Sequence, residues 1–234
     1  QMGRVSIIPE GFTTERIISL FTEYDFTLYF KNSFIYAIIT CAISLLFNSM
    51  AAYSFARFSY PGKDKIFSVF LGTMMVPFSI IMMPLYLMMK DFGLINSLSA
   101  LILPGMAGAY GVFMLRQFYM GIPKELEEAG RIDGLSYWGI YRHIILPLSK
   151  PIMLTLGVLS FKGSWNNYLW PTIVNNDADY YVISQGLSKF SSYNTTDWNS
   201  TLAGSAVSMI PIIVIFIFFQ KQLVDGIKMS GLKG

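Results

Sequence analysis

Five long apolar stretches alternate with shorter polar ones, running from about Ser33 to Phe55, Ile66 to Met88, Leu98 to Phe118, Pro151 to Ile173 and Thr201 to Phe219. Each approaches or exceeds the ~20 residues with which an α-helix crosses a hydrocarbon core. The fourth, at ~1.5 Å per residue, would measure ~34 Å. The pattern predicts an all-α fold, a polytopic transmembrane helical bundle with five spans visible. Pro77 and Pro84 predict a kink in the second span, because proline removes a helical hydrogen bond and crowds the turn before it. Pro104, Gly105, Gly108 and Gly111 predict close helix approach in the third. Residues 1–32 are polar enough to lie outside the bilayer. They include a short amphipathic helix after Thr13 or Thr14 with Ile17, Ile18, Leu20 and Phe21 on one side. The membrane domain then occupies 33–223, a polar loop 175–200 precedes the last span, and 220–234 form a tail.

The longest interruption, residues 121–150, is a polar island holding Lys124, Glu125, Glu127, Glu128, Arg131, Asp133, Arg142, His143 and Lys150. Pro123 suits the first turn of a helix, where its missing N–H has no partner to lose, and the three glutamates sit near the positive end of that helix dipole. Gly130 and Gly134 interrupt it. The expected shape is a short helix, a turn near Gly134, and a second short helix from about Ser136 that breaks before Pro147.

Composition sets the surroundings. With 53% hydrophobic residues, 13% charged and a mean hydropathy of +0.50, the chain is too apolar for a soluble domain of its length. A net charge of +3 implies no nucleic-acid partner, and the lone Cys41 excludes an intrachain disulfide framework and a cysteine-rich metal site. Arg57, Lys63, Lys65, Arg116, Lys124, Arg131, Arg142, Lys150, Lys221, Lys228 and Lys233 fall on one side of the spans, against Lys90 and Lys189 in the two opposite loops. The positive-inside rule therefore makes the island and the C-terminus cytoplasmic and puts Gln1 outside. Trp165, Trp170 and Trp198 then fall at the outer interface. Gly62-Lys63 is followed by Asp64 and lacks the earlier glycine of a phosphate-cradling loop, so the chain does not itself hydrolyse ATP. His143 has no acid or nucleophile nearby in sequence, which argues against an embedded enzyme. An ion-coupled secondary transporter is disfavoured because no Asp or Glu lies inside the five spans. Lys162 falls near mid-membrane, where a lysine costs roughly 2.5–3.5 kcal/mol unless it finds a partner, water or the interface.

Glu128-Ala129-Gly130, three residues, Gly134, nine residues, then Ile144-Ile145-Leu146-Pro147 resembles the cytoplasmic coupling loop (EAA motif) of ABC importer permeases, with Gly130 where that family has its second alanine. The substitution should loosen the helix by roughly 1 kcal/mol. Further pieces resemble the carbohydrate importers of the maltose-permease type: Ala51 to Phe58, Pro84-Leu85-Tyr86, Leu115 to Tyr119 with Ile122 to Glu128, Gly163 to Pro171, and Gly231 to Gly234.

The resemblance implies a type I ABC importer permease in the inner membrane of a prokaryote, importing a sugar or oligosaccharide by alternating access. It also implies six spans, so a first span preceding Gln1 is expected to be absent from this sequence. The implied partners are a homologous second permease, two ATP-binding subunits that use ATP and Mg, and an extracytoplasmic solute-binding protein; no cofactor or metal is implied for this chain. Glu127, Glu128, Ala129, Gly130, Arg131, Asp133, Gly134, Ile144, Leu146 and Pro147 would form the coupling element, with Lys228 to Gly234 also reaching the ATPase. Lys162, Trp165, Asn166 and Asn167 would lie on the translocation path, where Lys162 would favour an acidic sugar, unless it pairs with the partner subunit or snorkels outward. Asp177, Asp179, Tyr180, Tyr181, Tyr193 and Trp198 would meet the binding protein. An importer of a non-sugar solute shares the coupling loop and remains the alternative.

Overall fold

A computed structural model of the chain describes residues 14–190 and 197–231, with side chains described through residue 220. A short helix α1 (Glu15–Thr22) leads into α2 (Phe26–Arg57), the 32-residue helix around which the bundle is built. Then follow α3 (Lys63–Gly72), α4 (Phe78–Asp91), α5 (Leu98–Ile102) and α6 (Ala109–Met120). The island contributes α7 (Glu125–Ile132), α8 (Tyr137–Ile140), a π-helical turn over Tyr141–Ile145, and α9 (Leu146–Leu148). The chain continues through α10 (Lys150–Trp165), α11 (Leu169–Val174), α12 (Ile183–Ser188) and α13 (Trp198–Gly231). α2 packs chiefly against α6 and α10, and α13 closes against α10.

The burial pattern is inverted relative to a water-soluble bundle. α2 turns Asn32, Ser33, Thr40, Ser44, Asn48 and Ser49 inward, while Ile38, Leu46, Phe47 and Met50 are exposed. In lipid this is the favoured arrangement, because polar groups find partners only inside the protein. Asn48 shows how: its Oδ1 accepts from the Gly108 N–H at 3.0 Å, freeing α6 from one orphan donor, and its Nδ2 donates to Ser44 Oγ at 2.9 Å. Gly111 and Gly105 permit the approach expected of them, since a Cβ would meet the Asn48 amide at Gly111 and Thr40 Cγ2 at 2.7 Å at Gly105. Gly108 faces open space and earns its place differently, as the extended residue ahead of α6.

Among the described residues, two helices are singly long and apolar enough to cross a membrane, Phe26–Arg57 and Trp198–Gln220; the count rises to five when each bent pair is one span. The bends correct several expectations. The second span is not merely kinked: Lys63–Met75 and Phe78–Asp91 meet at 100°. Val76 is extended at φ −83° and ψ 116°, as sterics require of a residue before proline, so Pro77 ends the helix, whereas Pro84 lies inside α4 without ending it. The third span bends by 40° at Gly105 to Gly108. The fourth is divided: α10 stops at Trp165, and α11 begins with Asn167 Oδ1 accepting from the Trp170 N–H at 3.4 Å and Pro171 in its first turn, where a missing N–H costs nothing. The loop after it is not irregular throughout, since it holds a 3-10 turn (Ala178–Tyr180) and α12. The island's second helix does not break before Pro147; it runs through Pro147 and ends at Ser149, because the π turn widens the backbone just ahead of the ring.

Trp165 and Trp170, expected at the outer interface, turn their rings into the protein. Both are buried at 2% exposure, Trp165 donating to the Ser208 carbonyl at 3.1 Å and Trp170 to the Ala100 carbonyl at 2.9 Å. Each indole thus joins two helices through its single donor. Trp198 is exposed.

Candidate functional site

The island folds as an elbow. α7 carries Glu125, Glu127 and Glu128 in its first turn and Arg131 in its last, in keeping with its dipole. It ends in a Schellman turn: the Leu135 N–H bonds the Gly130 carbonyl at 2.9 Å and the Gly134 N–H bonds the Arg131 carbonyl at 3.0 Å. That turn requires a left-handed residue, supplied by Gly134 at φ +82°. Ser136 Oγ then accepts from the Gly139 N–H at 3.2 Å and caps the next helix. At the far side, the Ser149 hydroxyl bonds the Ile145 carbonyl at 2.7 Å and the Leu146 carbonyl at 3.1 Å, and Tyr137–Leu148 meets α10 at 76°.

The elbow sorts the candidate residues into two faces. Glu128, Ala129, Arg131, Asp133, Gly134 and Pro147 are exposed, while Ile144 and Leu146 are half-buried. Glu127 and Gly130 are turned inward. Gly130 therefore does more than loosen a helix. A Cβ there would stand 2.7 Å from Ile144 Cδ1, so the glycine lets α7 lie close on the π turn. The outer face also holds Ile132, 87% exposed, together with Tyr137 and Trp138. These three were not singled out from the sequence, though an apolar residue at the last position of an otherwise charged helix was the available signal. Arg131 lies over the Tyr137 ring at 4.9 Å, and His143 Nδ1 donates to the Gly139 carbonyl at 2.9 Å.

The inner face is fastened to the end of α2. Glu127 Oε1 lies 2.5 Å from Arg57 Nε, both side chains nearly buried, and Arg57 Nη2 donates to the Ile122 carbonyl at 2.6 Å. Ser49 Oγ lies 2.7 Å from the Tyr119 hydroxyl and 2.8 Å from that of Tyr141, joining α2, α6 and the elbow through one atom. Tyr53 packs on Tyr141, and Phe58 meets Tyr137 edge-on.

The opposite end of α2 grips the loop after α11. Asn32 Nδ2 donates to the carbonyls of Asp179 at 2.8 Å and Tyr181 at 3.0 Å, and Ser33 Oγ accepts from the Ile183 N–H at 2.8 Å. Lys189 donates to the Tyr29 hydroxyl at 2.9 Å and sits 4.5 Å above the Tyr181 ring. Asp177 and Asp179 are exposed, with Asp177 Oδ1 accepting from the Asp179 N–H, while Tyr180 and Tyr181 are half-buried. Tyr193 and the side chains of the C-terminal tail lie outside the described residues.

Of the residues expected on a path, Lys162 and Asn166 are exposed and one helical turn apart. Lys162 stands in the last turn of α10, with no ion-pair partner among the described residues. Trp165 is buried, facing Phe34, Phe161 and α13. Asn167 is half-buried, its Nδ2 donating to the Tyr36 hydroxyl at 3.2 Å.

Residues 50–229 match the protein family described as the binding-protein-dependent transport system inner membrane component. The chain is 37% identical over 227 residues to the arabinooligosaccharides transport system permease protein AraQ of Halalkalibacterium halodurans, covering 97% of this chain and 81% of that one. It is 34% identical over 212 residues to the lactose transport system permease protein LacG of Rhizobium radiobacter, covering 91% and 78%. Among solved structures, a bacterial ABC transporter involved in the import of the acidic polysaccharide alginate superposes with a TM-score of 0.82 at 24% identity, covering 94% of this chain and 82% of that one. The MetNI methionine ABC transporter gives 0.63 at 16%, covering 92% and 99%. Both structural likenesses speak to the fold.

Proposed function

The chain belongs to the family of binding-protein-dependent transport system inner membrane components, and on that premise we propose that it forms half of the translocation path of an ATP-driven sugar importer. It is a membrane transporter subunit and not an enzyme. In this reading it pairs with a homologous permease, receives an oligosaccharide from an extracytoplasmic binding protein, and alternates access as two separate ATPase subunits bind and hydrolyse ATP with Mg. The elbow and the C-terminus are on the cytoplasmic side, and the loop holding Asp177, Asp179, Tyr180, Tyr181 and Trp198 meets the binding protein. The substrate class rests on the relatives, whose names specify arabino-oligosaccharides and lactose. Exposed Lys162, paired with Asn166 on one helix face, supports an acidic oligosaccharide within that class.

The observation that carries the coupling assignment is the two-faced elbow. Its outer face presents Glu128, Ala129, Ile132 and Asp133 around an exposed apolar residue, the composition of a small docking knob. Its inner face is locked to α2 and to the foot of α10, so a push on the knob reaches the spans. Glu128→Lys reverses the charge on the knob without touching the inner face. It is expected to reach the membrane at the normal level, to lose co-purifying ATPase, and to abolish uptake of a radiolabelled oligosaccharide. Normal uptake by this variant would remove the assignment.

A further inference from the structure

Arg57 is the last residue of α2, and its guanidinium faces the approach to α7: Nε stands in ion-pair contact with Glu127 Oε1 at 2.5 Å, without the alignment of a hydrogen bond, and Nη2 donates to the Ile122 carbonyl at 2.6 Å. The two side chains are 6% and 7% exposed, whereas a second ion pair, Arg116 with Asp64, leaves the aspartate 84% exposed at 3.7 Å. A buried pair is poor value as a source of stability, because desolvation cancels most of its attraction. What a planar cation does supply is a charge held against one group and a hydrogen bond to another from a single rigid plane. The ion-pair partner here lies inside the first turn of α7 and the hydrogen-bond acceptor just ahead of Pro123, so one side chain holds both the position and the entry of the helix. The far end of the same α2 is bonded through Asn32 and Ser33 to the loop of Asp179 to Ile183.

We propose that Arg57 is a positioning residue for energy coupling: through Glu127 it clamps the coupling helix to α2, so that α7 and α2 move as one body and the push on the elbow is delivered to the opposite loop. The proposal rests on the coupling function assigned to the elbow.

The test uses the assembled complex of this chain with its partner permease, ATPase and binding protein in proteoliposomes. Two readouts are taken, membrane level with co-purifying ATPase, and oligosaccharide taken up per ATP hydrolysed. The double variant Arg57→Met with Glu127→Met removes both charges, so no unpaired ion is left to unfold the site. It is expected to assemble but to transport about tenfold less per ATP, at the modest end of coupling free energies. A double variant with wild-type stoichiometry overturns the clamp. A second measurement needs no disruptive variant: spin labels at Ser59→Cys and Glu125→Cys, both exposed, in a Cys41→Ser background. Their separation is expected to stay constant between nucleotide-free and vanadate-trapped states, and a change of about one helical turn (~5 Å) overturns the proposal. If the wild-type complex shows no bound ATPase at all, it is the coupling function of the elbow that falls.

Discussion

Gly134→Ala isolates the elbow's turn from everything else in the chain. Gly134 has φ +82° and nothing within 4 Å of where a Cβ would stand, so the substitution introduces no clash and acts only through the backbone. Placing an L-residue with a Cβ in the left-handed region costs about 1–2 kcal/mol. At about 1.4 kcal/mol per factor of ten, the share of molecules holding the Schellman turn against alternatives falls roughly five- to thirtyfold. Gly62 at φ +79° and Gly93 at φ +68° are built alike, with equally open surroundings, and lie outside the elbow. Alanine at either should cost similar stability. The assay compares oligosaccharide uptake, normalised to membrane level, across the three alanine variants and Gly134→Asn, since asparagine tolerates the left-handed region. Uptake should fall severalfold for Gly134→Ala alone and recover substantially with asparagine. Equal losses at Gly62, Gly93 and Gly134, or an asparagine variant as poor as the alanine one, would refute the reasoning that this turn presents the knob.

Three further outcomes follow from the packing. Ser49→Ala strands the Tyr119 and Tyr141 hydroxyls and should lower stability by about 1–3 kcal/mol, read as a drop in the unfolding midpoint of the purified protein; an unchanged midpoint would mean the three hydroxyls are not jointly buried. Gly111→Ala drives a methyl into Asn48 and should cost about 1–3 kcal/mol, while Gly108→Ala, three residues earlier in open space, should be nearly neutral; the reverse order would contradict the contact between α2 and α6. Lys162→Met should reduce uptake of a uronide oligosaccharide relative to a neutral one of equal length, and an unchanged ratio would assign the cation to lipid or to a partner subunit.

The elbow was the most legible part of the chain because its determinants are local. Pro123, the glutamates, Gly134 and Ser136 each act within a turn of where they stand, so sequence order alone predicts a helix, a turn near Gly134 and a second helix from about Ser136. The spans were legible as apolar mass but not as shapes. Pro77 and Pro84 look equivalent in a row of apolar residues, yet Val76 goes extended before one and the helix continues through the other. The inward facing of Trp165 and Trp170 was hidden for the same reason, since the partner carbonyls, on Ser208 and Ala100, come from distant positions. Arg57 was visible only as one basic residue among many in the loop-charge tally. Its pairing with Glu127 joins positions 57 and 127, and no periodicity or spacing rule reaches across that interval.

The inward polar row on α2 also bears on how the subunit is made. Until α6 is made, Asn48 lacks the Gly108 N–H and Ser49 lacks the Tyr119 hydroxyl that pair with them in the finished bundle. An unfinished copy therefore leaves an amide oxygen and a hydroxyl of α2 without these partners, and only the completed bundle encloses them.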